Sequence, residues 1–164
     1  MDEANEVDRT TYNILFVCTG NTCRSPMAMA IGRRAIERRG WSHIAVASAG
    51  TAAARGAAAE PLAVEVAAEH GLDLAAHATQ PLTRELVEWA DLILAMTPAH
   101  LEAVTELGGG GKAALLTEFL AGADSGEPIE DPFGGDRAAY RRVFERLEAA
   151  IEGVLDRLEP ILAP

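Results

Sequence analysis

Cysteine is scarce in this sequence: its 164 residues contain two, Cys18 and Cys23, with four residues between them. Two thiols this close along the chain cannot cross-link distant parts of a fold, which excludes the disulfide-stapled class of secreted domains. Their placement in one short segment indicates site chemistry in a reducing compartment instead. A zinc site would need further ligands nearby, so we expect neither a metal nor a cofactor.

Basic residues are also few. Lys and Arg total 14 against 25 Asp and Glu, which gives a net charge of −11 at pH 7. This charge argues against binding to nucleic acid or to an anionic membrane surface. The sequence lacks the roughly 18 consecutive apolar residues of a membrane span, and its acidic start, MDEANEVDR, lacks the apolar core of a secretory signal. We therefore expect a cytoplasmic protein with no nucleic-acid or membrane partner.

Short apolar runs alternate with helical patterns along the chain. The run ILFV at 14–17 has no polar alternation, which is typical of a strand buried on both faces. Strands are predicted at 14–17, 44–49, 92–95 and 113–116, and helices at 26–39 with Ser25 as N-cap, at 61–70, after Thr97-Pro98, and along an apolar stripe from Tyr140 to Leu158.

This alternation predicts an α/β fold with one domain and three layers. A four-stranded parallel sheet would carry helices on both faces, and a ligand would bind at the carboxyl ends of the strands. We place the domain at 13–164 and a flexible acidic tail at 1–12.

The segment CTGNTCRSP at 18–26 follows the first predicted strand and opens the first predicted helix. Unpaired N–H groups at a helix N-terminus favour an anion. Gly20 and Asn21 tolerate the positive φ angles that turn successive amides toward one point, and Arg24 offers a planar fork of donors to phosphate oxygens. A thiolate at Cys18 would be a nucleophile beside this anion site, which predicts phosphoryl transfer through a phosphocysteine. The alternative is a structural cysteine in a strand-to-helix turn.

Residues 18–26 resemble the phosphate-binding loop of the low-molecular-weight protein tyrosine phosphatases, a family that includes bacterial protein arginine phosphatases. The likeness covers most of the chain, through SAGT at 48–51, His77 shortly after Gly71, DLILAMT at 91–97 with His100, and DPFGG at 131–135. The resemblance implies a phosphatase for phosphorylated proteins in which Cys18 is the nucleophile, Arg24 holds the phosphoryl group and Asp131 is the general acid. A plain turn residue is the alternative for Asp131, because Asp-Pro and Gly-Gly are common in turns.

The resemblance also implies supporting residues around the nucleophile. The remaining positions of the phosphate-binding loop would be Thr19, Gly20, Asn21, Thr22, Cys23 and Ser25. Ser25 would donate its hydroxyl to the Cys18 thiolate during turnover, while Ser48 and His77 would brace Asn21 and Ser25 from behind. In the alternative interpretation, Ser48 is only a hydroxyl at a strand end and His77 is a core histidine whose hydrogen bonds are satisfied. The other histidines, His43, His70 and His100, are expected at helix ends or on the surface.

Two positions bear on the choice of substrate. Thr22 stands where many tyrosine phosphatases carry an aliphatic residue, and Phe133 is followed by two glycines rather than by further aromatics. Both features resemble the arginine phosphatases. A hydroxyl at position 22 could orient a phosphoguanidinium or its attacking water. We therefore favour phosphoarginine, with phosphotyrosine as the alternative on the same scaffold. Met29, where the family often has Glu, bears on loop tuning rather than on activity.

Cys23 has two interpretations, a small loop residue or a redox guard. As a guard it would trap oxidised Cys18 as a disulfide, from which thiol reductants would restore the enzyme.

Two other functions compete with a phosphatase. An arsenate reductase on the same scaffold would need further cysteines, and none follows residue 23, so an internal thiol relay is excluded, although an external thiol could substitute. A non-catalytic phosphate-binding module would need neither the thiolate of Cys18 nor the carboxyl of Asp131.

Overall fold

The computed structural model describes residues 11–162. All but the last two residues of the tail predicted at 1–12 lie outside this range, so its flexibility stays a prediction. The domain predicted at 13–164 ends two residues beyond the same range.

Four parallel strands form the sheet, as predicted. They are β1 (Tyr12–Cys18), β2 (Ile44–Gly50), β3 (Leu92–Ala95) and β4 (Ala113–Leu115), arranged in the order β2-β1-β3-β4. Strand β1 is central: Leu15 lies beside Ala47 on one side and Ile93 on the other. Its side chains alternate, so that Ile14, Phe16 and Cys18 join one apolar cluster while Leu15 and Val17 join another. This two-sided burial explains the unbroken apolar run.

Helices cover both faces of the sheet. They are α1 (Arg24–Arg38), α2 (Pro61–Glu69), α3 (Arg84–Trp89), α4 (Pro98–Glu106) and α5 (Arg137–Leu162). Helices α1, α2 and α5 bury the larger cluster, whereas α3 and α4 bury the smaller one. The apolar stripe predicted between Tyr140 and Leu158 is buried along α5. The fold class is therefore confirmed as a three-layer α/β domain.

Two local predictions were wrong or incomplete. Helix α1 begins at Arg24 with Cys23 in the N-cap position, so Ser25 is not the N-cap but a buried residue of the first turn. Its hydroxyl contacts the Cys18 sulfur instead of a backbone amide. Helix α3 was not predicted because its six residues are too few to show a periodic pattern, although its N-cap, Thr83, accepts a hydrogen bond from Leu86 N.

The strand order places the end of β1 at a topological switch point. The chain leaves β1 for β2 on one side and returns to β3 on the other, which opens a crevice at the carboxyl end of β1. Within residues 11–162, no helix is both long and apolar enough to cross a membrane.

Candidate active site

Cys18 is the last residue of β1, and the phosphate-binding loop (residues 18–25) leads from it into the first turn of α1. Asn21 takes the left-handed backbone conformation, with φ of 60°. Gly20 does not adopt a positive φ, so the expectation of left-handed geometry there was wrong, and Asn21 makes the turn. An asparagine can hold this conformation because its short polar side chain hydrogen-bonds locally.

The loop that follows β2 holds the phosphate-binding loop from one side. Thr51 N donates to Cys18 O and Ala52 N donates to Thr19 O, both at 2.9 Å. The two segments approach so closely that a Cβ on Gly50 would lie 2.4 Å from Thr19 O. Residue 50 must therefore be glycine for the phosphate-binding loop to keep this position.

The side chain of Asn21 is fully buried and makes three hydrogen bonds. Its Nδ2 donates to Ser25 Oγ at 2.8 Å and to Ser48 Oγ at 2.9 Å, while its Oδ1 accepts from Gln80 N at 2.9 Å. His77 Nε2 donates to the Asn21 carbonyl oxygen at 2.9 Å. The structure thus brings both predicted braces, Ser48 and His77, into contact with Asn21, and Asn21 in turn contacts Ser25.

The nucleophile candidate, Cys18, is buried, with Ser25 Oγ 2.9 Å from its sulfur. Because Ser25 Oγ accepts a hydrogen bond from Asn21 Nδ2, its own proton is free to point toward a Cys18 thiolate. A second acceptor for that proton, Ala49 O, is farther away at 3.5 Å. The geometry therefore supplies one hydroxyl donor to an anionic sulfur, which stabilises it.

Arg24 is buried at the base of the same loop, and its guanidinium is held at two nitrogens. Nη1 donates to Ile129 O at 3.0 Å, and Nη2 donates to Thr19 Oγ1 at 3.4 Å. Nη2 also lies 3.7 Å from a carboxylate oxygen of Asp131. A guanidinium carries five N–H groups, so three remain for other acceptors such as phosphate oxygens.

Asp131 lies on a segment that we call the acid loop (residues 128–136). Its side chain is 54% exposed, and its Oδ1 accepts a hydrogen bond from Phe133 N at 3.0 Å. The base of the acid loop is anchored, since Ile129 N donates to Met96 O and Arg146 donates to Pro128 O, both at 2.9 Å. The structure thus places an accessible carboxyl on an anchored loop beside Arg24.

A cavity of about 230 Å³ opens where the two loops meet. It is lined by Cys18, Thr19, Gly20, Thr22, Cys23, Arg24, Asp131 and Phe133. The three predicted catalytic residues therefore share one cavity with both predicted selectivity residues. A larger cavity, of about 480 Å³, lies between α1 and residues 71–77, but its lining includes no Cys, Ser or Thr.

Cys23 is buried in the wall of the 230 Å³ cavity that also contains Cys18. Its sulfur lies 3.4 Å from the hydroxyl of Tyr140 and 3.7 Å from that of Thr22. Burial raises the pKa of the Cys23 thiol despite these two hydrogen bonds, and it also raises the pKa of Tyr140. The second cysteine is therefore held as a neutral thiol at neutral pH.

His100 lies at the site, a place that the sequence analysis did not assign to it. It does lie at a helix end, as expected, in the first turn of α4, but it is buried, with its Nε2 2.7 Å from Thr19 Oγ1. Its position three residues after the N-cap Thr97, at the carboxyl end of a strand next to β1, was the available signal. Of the other histidines, His43 is exposed and His70 stacks on Phe144 at the end of α2.

Comparison with known proteins gives a consistent result. Residues 13–161 match the family model described as low molecular weight phosphotyrosine protein phosphatase. The chain is 40% identical to a protein-arginine-phosphatase of Geobacillus stearothermophilus, over 90% of this chain and 97% of that one. It is 38% identical to a low molecular weight protein-tyrosine-phosphatase of Streptomyces coelicolor, over 88% and 92% respectively.

A solved structure of similar fold is the YwlE arginine phosphatase, as a cysteine-to-serine mutant with a phosphorylated active site serine. It matches with a TM-score of 0.84 and 38% identity, and the match covers 91% of this chain and 97% of that one.

Proposed function

The chain belongs to the low molecular weight phosphotyrosine protein phosphatase family, and from this premise we propose that it hydrolyses phosphoarginine in proteins through a phosphocysteine on Cys18. The observation that carries the chemistry is the single cavity shared by a buried cysteine, a buried arginine and an accessible carboxyl. The observation that carries the substrate choice is the hydroxyl-bearing Thr22 in the wall of that cavity.

In the first step the Cys18 thiolate attacks phosphorus. The sulfur–phosphorus bond forms as the phosphorus–nitrogen bond breaks, and the electron pair of that bond goes to the guanidine nitrogen. Asp131 donates a proton to this nitrogen, so that arginine leaves as its ordinary cation. Arg24 and the loop amides bind the three phosphoryl oxygens, whose charge grows in the transition state.

In the second step water attacks the phosphocysteine. Asp131, now a carboxylate, takes a proton from the water, and the electron pair of the sulfur–phosphorus bond returns to Cys18. Ser25, 2.9 Å from that sulfur, donates a hydrogen bond to the departing thiolate, which makes it a better leaving group. Inorganic phosphate is released and the enzyme returns to its starting state.

The walls of the cavity support a guanidinium more than a phenol ring. Thr22 offers a hydroxyl oxygen that can accept a hydrogen bond from an N–H of a phosphoguanidinium, whereas phosphotyrosine has no N–H group in its side chain. Phe133 is the one aromatic side chain among the described residues that line the cavity, and a guanidinium can stack on it. Two arginine phosphatases that are 40% identical to this chain are consistent with this preference.

A second candidate is phosphotyrosine hydrolysis by the same two steps. Phe133 favours it, because this side chain is 65% exposed at the cavity mouth and could equally pack on a phenol ring. The tyrosine phosphatase of Streptomyces coelicolor is almost as similar to this chain as the arginine phosphatases are.

Two peptides of one sequence, carrying either phosphoarginine or phosphotyrosine, would decide between the candidates. The assay compares kcat/KM on both for the wild type and for Thr22→Val, which keeps the volume but removes the hydroxyl, with Thr22→Ile alongside. We expect the wild type to prefer phosphoarginine and both variants to shift the ratio toward phosphotyrosine. An unchanged ratio would show that Thr22 does not set the preference.

The catalytic assignments need separate variants. Cys18→Ser should abolish turnover of an aryl phosphate while phosphate still binds, so activity in this variant would contradict the phosphocysteine. Asp131→Asn should slow a poor leaving group much more than an activated phenol, which leaves without a proton. Equal losses on both would contradict the assignment of Asp131 as the acid.

A further inference from the structure

The first turn of α4 places a neutral histidine against the phosphate-binding loop. His100 is 4% exposed, its Nε2 lies 2.7 Å from Thr19 Oγ1, and its Nδ1 lies 3.0 Å from Thr97 Oγ1. Burial, together with the nearby charge of Arg24, lowers the pKa of His100 to about 4. The ring is therefore uncharged at neutral pH, with one nitrogen carrying a proton and the other a lone pair.

The hydrogen bonds around Thr19 indicate which nitrogen is which. Arg24 has no acceptor, so its Nη2 donates to Thr19 Oγ1, at 3.4 Å. The Thr19 hydroxyl can then donate a hydrogen bond to the lone pair on Nε2 of His100. The positive charge of Arg24 favours the tautomer in which the lone pair on Nε2 faces it. This is the same tautomer that the hydrogen bonds around Thr19 indicate. Nδ1–H then donates to Thr97 Oγ1, and the chain of donors runs from Arg24 through Thr19 and His100 to Thr97.

We propose that His100 is a positioning residue for phosphate binding, which orients the hydroxyl of Thr19 and, through it, the guanidinium of Arg24. This role rests on the proposed function of the same loop. Arg24 is tethered at one nitrogen to Ile129 O and at the other to Thr19 Oγ1. Two tethers on different nitrogens set the plane of the guanidinium, so its remaining N–H groups are already aimed when phosphate arrives. Such preorganisation strengthens binding because less freedom is lost on association.

Two substitutions at position 100 separate the effect of losing the hydrogen-bond acceptor from the effect of changing the side-chain volume. His100→Leu fills the space but leaves the Thr19 hydroxyl without its acceptor, whereas His100→Gln retains an amide oxygen that can accept from it. His70→Leu is the matched control, because His70 is a partly buried histidine on the opposite face of the sheet. Binding of inorganic phosphate, measured by titration calorimetry, is the readout, with thermal unfolding of each variant recorded beside it.

We expect His100→Leu to weaken phosphate binding roughly 3- to 10-fold, the range for loss of one neutral hydrogen bond. His100→Gln should stay within about 2-fold of the wild type, and His70→Leu should bind phosphate as the wild type does. Thr19→Val should reproduce the loss, and adding His100→Leu to it should cause no further loss because the two residues act in series. Unchanged binding in His100→Leu, equal losses in the Leu and Gln variants, or losses that multiply in the double variant would overturn the proposal.

The tautomer supplies a test that needs no substitution at position 100. Nitrogen chemical shifts of the labelled wild-type protein at pH 7 should show a proton on Nδ1 and a lone pair on Nε2 of His100. A proton on Nε2, or a charged ring, would overturn the proposal even if His100→Leu failed to fold. Phosphate binding and the tautomer do not depend on turnover. A protein that binds phosphate as expected but hydrolyses no phosphopeptide would contradict the proposed function and leave the role of His100 standing.

Discussion

Replacing Asn21 tests whether one side chain supports the phosphate-binding loop. Asn21→Ala removes the hydrogen bonds to Ser25, Ser48 and Gln80 N and keeps a Cβ at a residue with φ of 60°. Asn21→Gly removes the same three bonds but tolerates the left-handed backbone. The two variants therefore share the loss of bonds and differ in backbone strain.

The expected loss of stability follows from these contacts. Three neutral hydrogen bonds contribute about 3 kcal/mol in total, and a left-handed alanine costs ~1–2 kcal/mol more. Asn21→Ala should therefore lower the free energy of unfolding by about 4–5 kcal/mol, out of roughly 5–15 kcal/mol for a typical domain. Asn21→Gly avoids the strain but adds ~0.5–1 kcal/mol of unfolded-chain entropy, so it should be the more stable variant by about 0.5–1 kcal/mol.

Urea unfolding, followed by circular dichroism, measures both differences. With a slope of about 2 kcal/mol per molar urea, the midpoint of Asn21→Ala should fall by roughly 2 M. Phosphate affinity in the folded state should fall in both variants, since the phosphate-binding loop loses the side-chain bonds that hold its shape.

Two results would refute this reasoning. An Asn21→Ala protein within about 1 kcal/mol of the wild type, with unchanged phosphate affinity, would mean that the buried bonds contribute almost nothing. A glycine variant less stable than the alanine variant would mean that the left-handed backbone is not the strained feature.

Three further predictions concern the surroundings of the loop. Gly50→Ala and Gly153→Ala each place a Cβ within 2.4 Å of a carbonyl oxygen, so both should destabilise the fold in urea titration. Only Gly50→Ala should weaken phosphate binding, and equal binding in both variants would contradict the close approach of Gly50 to the phosphate-binding loop. After peroxide treatment and then a thiol, Cys23→Ser should recover less activity than the wild type, whose Cys18 can be trapped as a disulfide. Because the pKa of Cys23 is raised, this protection in the wild type should improve as the pH rises toward that pKa. Full recovery of the variant would exclude the guard role. Arg146→Leu removes two charged hydrogen bonds to the acid loop, at Pro128 O and Glu130, and should lower kcat on a poor leaving group by about tenfold or more. An unchanged kcat would show that the acid loop needs no anchor from α5.

The order of the strands and longer helices along the chain could be predicted from sequence because each of these elements has a local pattern, which the six-residue α3 lacks. The run at 14–17 is apolar without alternation since β1 is covered on both sides, and the stripe in α5 follows the helical period. Thr97-Pro98 was recognisable as a helix start because an N-cap needs only its own side chain and the next turn. Ser25-Pro26 has the same appearance, yet Ser25 serves the Cys18 sulfur, which no local pattern reveals.

The sequence by itself determined the chemistry of the site. Cys18 and Arg24 in one strand–loop–helix segment predicted a nucleophile beside an anion site, because neighbours in a short loop must lie close together. The phosphatase and the role of Asp131 were what the resemblance to the family implied. Apart from Ser48 and His77, which the resemblance to the family implied, only the tertiary structure shows what holds the phosphate-binding loop in place. Asn21, His100 and Gly50 act through partners 27 to 81 residues away or through a clash that only folding creates. Such contacts depend on how the strands are ordered in the sheet, and strand order is set by the packing of the whole chain rather than by any segment of it.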